Sequence, residues 1–429
     1  MIPLHGRSNR VEISDNLRAS VFRLDQHPSI TEAFNLFSRK LNGAQRIISL
    51  LRDPVDSVVL EGNDYVVLPP EMNYLKNGDI ISLSANGKSI NALWRGNGTT
   101  NTLLLTERCD NYCLMCSQPP RDRQDDWLLE QAFEVISLMP KDAHEIGISG
   151  GEPTLYGERF VDLVRHVREE LSGTALHILS NGRRFSDPNF ASKYAEATSA
   201  LTMVGIPVYG AEASLHDHVV QSNGAFEETI DGILNLGELG QAIEIRVVLH
   251  AYTAPNIIAI AEFIARNLPF VDQVALMGLE MMGLARRNSS QLWIEPHEYS
   301  ESLAEATEIL HAHRIHTMIY NHQLCLLHKD IWDFAVKSIS DWKNEYDPAC
   351  HNCDVLERCG GFFHSAKYGS SDLITPLTSE GIAKRIFPMS EDFTAGGSTW
   401  RRRRIPVTGV NVLAEVETNP PLDFPNQAV

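Results

Sequence analysis

Leu103-Leu-Leu-Thr-Glu-Arg-Cys109-Asp-Asn-Tyr-Cys113-Leu-Met-Cys116 runs from a short apolar segment straight into three closely spaced thiols. The apolar part reads as a buried strand, and the cysteines fall just beyond its carboxyl end. Parallel α/β sheets and barrels carry their chemistry in the loops at that end. A four-iron cluster takes one thiolate per iron, so three local cysteines leave one iron open to a substrate or cofactor. A structural zinc site is the alternative. It wants a fourth Cys or His close by, and His144, the nearest downstream histidine, is an unconvincing partner by spacing.

Downstream of this segment, apolar strands alternate with amphipathic helices, the pattern of βα units around a parallel sheet. Six strands are expected, at 103–106, 145–149, 176–180, 203–209, 243–250 and 274–277. The clearest helix covers 160–171, where Phe160, Leu163, Val164, Val167 and Leu171 share one face at helical spacing. A further helix near 296–313 ends the regular alternation. The second strand closes in Gly150-Gly151-Glu152-Pro153, a glycine pair that lets backbone approach a ligand. Later strands also end in polar groups: Ser180 and Asn181 after the third, Glu212 and Ser214 after the fourth. Arg246 and His250 share a face of the fifth. A sheet buried on both faces does not tolerate such groups without partners.

The flanks differ in texture. Residues 1–98 carry short extended runs, such as 57–60, 65–68 and 79–83, broken by EGND, KNGD and ANGK turns, and read as a small β-rich domain. The core is assigned to 99–320, a cysteine-bearing segment to 321–369 and an irregular tail to 370–429. The chain has 55 acidic against 37 basic residues, a formal charge of -18, which repels polyanions and argues against nucleic acid as a partner. The basic run Arg401–Arg404 reads as solvated tail. No stretch is long and apolar enough for a membrane span and the start has no apolar leader, so the expected location is the cytoplasm. Seven cysteines, six of them in two clusters, suit metal ligation in a reducing compartment rather than disulfides.

The second cluster, Cys350-His-Asn-Cys353-Asp-Val-Leu-Glu-Arg-Cys359, has the spacing CxxCx5C, and Cys325 lies 25 residues upstream of it. Four thiols suit either a second iron–sulfur cluster or a tetrahedral zinc.

Together these motifs resemble the radical S-adenosylmethionine (SAM) superfamily: CxxxCxxC after the first strand is similar to its signature, with Met115 at a usually aromatic place, and Gly150-Gly151-Glu152-Pro153 is similar to its GGEP motif. The resemblance implies a partial (β/α)6 TIM-like barrel and a [4Fe-4S] cluster on Cys109, Cys113 and Cys116. At that cluster SAM is reductively cleaved to a 5'-deoxyadenosyl radical, which abstracts hydrogen from the substrate. It implies that Gly150, Gly151 and Glu152 meet the SAM amino group, and that Asn181, Ser214 and Arg246 hold its ribose and carboxylate, with Glu212 and His250 as further candidates. The 325–359 cysteines resemble a SPASM or twitch extension, implying one auxiliary [4Fe-4S] cluster on Cys325, Cys350, Cys353 and Cys359. The strings LLLTERCDNYCLMCSQPP, MGLEMMGLARRN and SISDWKNEYDPACHNCDVLERCGGFF resemble the His-Xaa-Ser system maturases. That family implies a small-protein substrate with His-Xaa-Ser repeats, a second radical SAM maturase, and an electron donor such as flavodoxin or ferredoxin. The rival readings are a radical SAM enzyme of cofactor biosynthesis and a non-catalytic zinc-binding adaptor.

Overall fold

A computed structural model describes residues 4–8, 11–12, 21–26, 33–38, 49–52, 65–98, 101–337 and 345–378. The expected strand at 57–60, the EGND turn, the Arg401–Arg404 run and most of the tail lie outside the described residues.

The amino-terminal region is β-rich, as expected. Among the described residues its strands are β1 (His5–Arg7), β2 (Val11–Glu12), β3 (Val21–Gln26), β4 (Ala33–Phe37), β5 (Ser49–Arg52), β6 (Tyr65–Leu68), β7 (Ile80–Leu83) and β8 (Ser89–Trp94). They form one sheet in the order β1-β8-β7-β3-β4-β5-β6-β2, antiparallel except for β5 beside β6. Phe22, Leu24, Leu50, Val66 and Ile81 fill a core of its own. Val21, Ile80 and Trp94 instead join the core of the following domain, so the two are packed against each other.

The second sheet begins at β9 (Thr102–Leu104) and continues through β10 (Glu145–Ser149), β11 (Ala175–Leu179), β12 (Thr202–Pro207), β13 (Ala242–Leu249), β14 (Gln273–Gly278), β15 (His316–Tyr320) and β16 (Ala335–Val336). These pair in parallel and in sequence order, an open, curled partial barrel with β9 and β16 at its two edges. The six expected strands are all present, within two or three residues at their ends. The alternation does not stop after the sixth: β15 and β16 extend the sheet toward the second cysteine cluster. His316-Thr-Met-Ile-Tyr320 is short and enters from Arg314 at a left-handed φ of 62°, and β16 is two residues long, so neither leaves a periodic signal.

Between the strands run α1 (Asp126–Leu138), α2 (Glu158–Glu170), α3 (Pro188–Ala197), α4 (Ala213–Val220), α5 (Ala225–Glu238), α6 (Ile257–Asn267), the short α7 (Gly283–Arg287) and α8 (Ser289–Leu292), and α9 (Ser300–Ala312). In α2, Phe160, Leu163, Val164 and Val167 are buried together, with Glu158 in the first turn and Arg168 in the last to complement the helix dipole. Asp187 caps α3 by accepting from Asn189 N at 3.0 Å, and Pro188 takes the first helical position. Every residue of β10 is buried, as a parallel strand covered on both faces requires. Ile146, Ile148, Ile178, Val204 and Ile245 face the helices. Strand alternation turns Ser149, Leu179, Gly205 and Arg246 to the inner face. No described helix is long and apolar enough to cross a membrane.

Candidate active site

The loop from β9 to Cys109 is tied down before any cysteine is reached. Asp125, fully buried just ahead of α1, accepts from Thr106 Oγ1 at 3.0 Å, Glu107 N at 2.5 Å, Arg108 Nε at 3.1 Å and Tyr156 Oη at 3.3 Å. Burial opposes its ionisation. The Glu107 N–H, the Thr106 hydroxyl and the Arg108 charge outweigh that, holding its carboxyl below the ordinary carboxylate range. From the other side, Gly151 N donates to Thr106 O at 2.7 Å and Glu152 N to Arg108 O at 2.8 Å. A Cβ at Gly151 would overlap the Arg108 carbonyl. Gly151 is therefore required by the approach of the protein's own backbone.

The cysteine loop is held in turn by three neighbours. Tyr112 N and Leu114 N donate to Val220 O and Val219 O, both at 2.9 Å, at the end of α4. Arg183 Nη1 donates to Asp110 O and Asn111 Oδ1, both at 2.9 Å, and Asn181 Nδ2 donates to Asp110 Oδ1 at 2.5 Å. Beyond Cys116, Leu284 N donates to its carbonyl at 2.8 Å and Asn288 Nδ2 to Leu114 O at 2.8 Å. Gly283, at φ 52°, sits where a Cβ would overlap the Cys116 and Ser117 carbonyls. Met115 is buried beside Tyr209, Val219 and Val220.

Cys109, Cys113 and Cys116 open onto a cavity of about 230 Å³ at the carboxyl ends of the strands. Met115, Gly150, Gly151, Asn181 and Arg246 also line it, as do Tyr209, Glu280, Asn321 and Phe363, which sequence reasoning did not single out. No histidine is among its lining residues. Burial, followed by the nearby Glu152 charge, pushes the Cys109 thiol up to about 12; burial also raises Cys113 and Cys116. Such thiols ionise when a metal supplies the compensating charge.

Four of the expected residues do not line this cavity. The fully buried Glu152 carboxylate turns into the protein: Thr154 N (3.0 Å), Thr154 Oγ1 (2.6 Å) and Ser180 Oγ (2.8 Å) donate to Oε1, and Asn181 N (2.6 Å) donates to Oε2. Burial raises its pKa against the pull of these bonds. Ser214 is exposed on α4 and donates to Glu212 Oε1 at 2.9 Å, which accounts for both residues. His250 is buried below the rim, accepts from Tyr252 N at Nδ1 (3.3 Å), and is pushed down to about 4 by burial and then by His218. Arg246 does reach the cavity. Its Nη1 donates to Glu244 Oε1 at 2.6 Å and its Nη2 to Met277 Sδ at 3.2 Å. Burial disfavours the Glu244 anion, yet the Arg246 and His177 neighbours keep its pKa low.

The second cysteine group also comes together. Cys325, in the turn after β15, lines one narrow cleft with Cys350, Cys353 and Cys359. Leu377 N donates to Cys353 Sγ at 3.5 Å, Gln323 Nε2 to Gly361 O at 2.7 Å, and Tyr346 Oη to Cys359 O at 3.1 Å. Among the described residues, no group of three or more Cys, His, Asp or Glu side chains is gathered so as to hold one metal ion, at either cysteine site. Thiolates that each take a different iron surround a cluster rather than converge on a point.

Fold and site define an α/β partial-barrel protein with a three-cysteine loop at the functional end of its sheet. Residues 103–264 match the model of the Radical SAM superfamily, which places a radical SAM domain in this part of the chain. No curated protein matches the sequence significantly. Among solved structures, the chain is similar to Streptococcus suis SuiB bound to S-adenosylmethionine, at 12% identity over 66% of this chain and 77% of that one, TM-score 0.46. It is also similar to SuiB bound to precursor peptide SuiA (15%, 54% and 51%, TM-score 0.41) and to native anSMEcpe with bound AdoMet (13%, 64% and 92%, TM-score 0.46). The chain thus spans about half the length of SuiB in the peptide-bound structure.

Proposed function

We propose that this protein is a radical SAM enzyme that modifies a peptide or small protein, with a His-Xaa-Ser repeat protein as its substrate. The observation that carries the radical SAM reading is one cavity lined by Cys109, Cys113, Cys116, the Gly150-Gly151 edge, Asn181 and Arg246. Three thiols without a histidine fit a four-iron cluster with one open iron better than a closed zinc site. When bound there, a [4Fe-4S] cluster would supply the electron that cleaves SAM to methionine and a 5'-deoxyadenosyl radical.

The protein's own residues bind and orient. Gly150 and Gly151 offer peptide groups to the SAM amino group, and Arg246, braced by Glu244, offers its cation to the carboxylate. Asn181 offers a polar side chain to the ribose. Glu152 acts one step back, fixing Ser180 and Asn181 through its accepted hydrogen bonds. Leu179, Val248, Met277 and Phe363 wall the cavity and limit the entry of dioxygen and stray hydrogen donors that would intercept a radical. The cleft of Cys325, Cys350, Cys353 and Cys359 offers four thiols to an auxiliary [4Fe-4S] cluster. A second radical SAM maturase and a flavodoxin or ferredoxin donor complete the proposed system.

The test is anaerobic incubation of reconstituted protein with SAM, a reductant and a His-Xaa-Ser protein, followed by mass spectrometry. The parent should release 5'-deoxyadenosine and change the mass of the substrate; Cys109→Ala, Cys113→Ala and Cys116→Ala should do neither. Parent-like 5'-deoxyadenosine from all three variants rejects the assignment.

A further inference from the structure

The turn after β11 reaches across to the cysteine loop. Gly182 turns the chain there at a left-handed φ of 83°, where a Cβ would crowd the Ile206 side chain. Arg183 follows, with its side chain largely buried and its guanidinium shared among four acceptors. Nη1 donates to Asp110 O and Asn111 Oδ1, both at 2.9 Å, and to Ser222 Oγ at 3.0 Å, while Nε donates to Glu228 Oε2 at 2.6 Å.

Asp110 O and Asn111 N are the two ends of one peptide group. Its carbonyl accepts from Arg183, and its N–H donates to Cys109 Sγ at 3.4 Å. A donor on the carbonyl polarises the amide, strengthens its N–H as a donor and fixes where that N–H points. The buried Asn111 side chain gives Arg183 a second hold on the same peptide. The guanidinium charge is itself matched, by Glu228 at 2.6 Å and the Asp110 carboxylate at 3.7 Å. Its bare Coulomb effect on the sulfurs is therefore small, and the hydrogen-bonded peptide is the route by which Arg183 reaches Cys109.

We propose that Arg183 is a positioning residue for the radical-generating step: through the Asp110–Asn111 peptide it aims an N–H at the Cys109 sulfur and keeps the cluster reducible. This rests on the radical SAM reading above. Reduction brings one electron from a low-potential protein donor into the cluster, with no bond made or broken. Hydrogen bonds to the ligating sulfurs are among the features that set the potential of such a cluster, because they stabilise the form carrying the extra electron.

The experiment titrates the full chain, reconstituted anaerobically and free of SAM, with reductant and redox mediators, following the electron paramagnetic resonance signal that SAM perturbs when added afterwards. In Arg183→Gln the ratio of reduced to oxidised cluster at a fixed potential should fall about tenfold, the worth of a hydrogen bond to a charged group. Arg183→Lys restores the charge beside Glu228 and Asp110 but has no fork to hold the peptide, and should still fall about threefold or more. Should Arg183→Gln assemble too little cluster to titrate, Arg183→Lys decides. A merely structural brace would lower the iron content or the unfolding midpoint and leave the assembled cluster at the parent potential. That outcome, or a parent potential in Arg183→Lys, overturns the proposal alone. A parent with no signal that SAM perturbs rejects the radical SAM reading and the proposal with it.

Discussion

Removing the Glu152 carboxylate separates a residue that touches SAM from one that positions the residues around it. Glu152→Ala leaves Thr154 N, Thr154 Oγ1, Ser180 Oγ and Asn181 N without their acceptor at a site shut off from water. A buried donor left unmade costs about 1–3 kcal/mol. The two hydroxyls can rotate toward other acceptors, but the two backbone N–H groups cannot. Two orphaned N–H groups at that cost, offset by no longer burying a carboxylate, give a net loss of about 2–5 kcal/mol. Glu152→Gln keeps one oxygen for the Thr154 and Ser180 donors and turns an NH2 toward Asn181 N, so it should cost about 1–3 kcal/mol. Urea unfolding of the cluster-free protein measures this. SAM affinity should fall in parallel, because Asn181 is no longer held. In a double-mutant cycle, Asn181→Ala should cost less SAM affinity in the Glu152→Ala background than in the parent. The reasoning fails if Glu152→Ala unfolds at the parent midpoint while losing SAM affinity, for that is the signature of direct contact.

Gly151→Ala forces a methyl group into the Arg108 carbonyl and should destabilise by about 1–3 kcal/mol; reduced iron incorporation, read by iron assay, should accompany it, and parent-like stability would refute the close approach. Reconstituted parent should hold about eight irons per chain, and Cys350→Ala, Cys353→Ala, Cys359→Ala combined should hold about four and still cleave SAM. One zinc with four irons in the parent would reject the auxiliary cluster. Glu145, buried at the start of β10 with neither carboxylate oxygen hydrogen-bonded among the described residues, has its pKa raised from 4.5 to about 9, first by burial and then by Glu244. Its neutral form therefore favours the fold fully below about pH 4.5, and that contribution is lost as pH rises toward 9. Glu145→Gln, neutral throughout, should match the parent near pH 4.5 and exceed its thermal midpoint by a growing margin up to about pH 9. A constant gap across that range would count against the burial argument.

Much of the fold is local information. The period of Phe160 to Val167 specifies a helix, the short Ile146-Gly-Ile148 segment running into the Gly150-Gly151 pair specifies a strand and its end, and three thiols after β9 mark the functional end of the sheet. Those signals need only the residues themselves, because side-chain periodicity and ligand spacing are short-range properties of the chain. Tertiary structure decided the rest. Whether Ser214, placed one strand end after Asn181, faces the cavity depends on how α4 is rotated, and α4 leaves it exposed. Glu152 reads from sequence as a free carboxylate beside two glycines; only the packing of β10 against β11 brings Ser180 and Asn181 to it. Glu280 lies in a string quoted from the sequence, yet only the pairing of β14 with β15 sets it on the cavity wall beside Asn321. Cys325 joins cysteines 25 residues away because β15 returns the chain to the same end of the sheet as β14. Which polar groups meet is set by strand order and helix rotation, and these follow from the burial of the whole core rather than from any one segment.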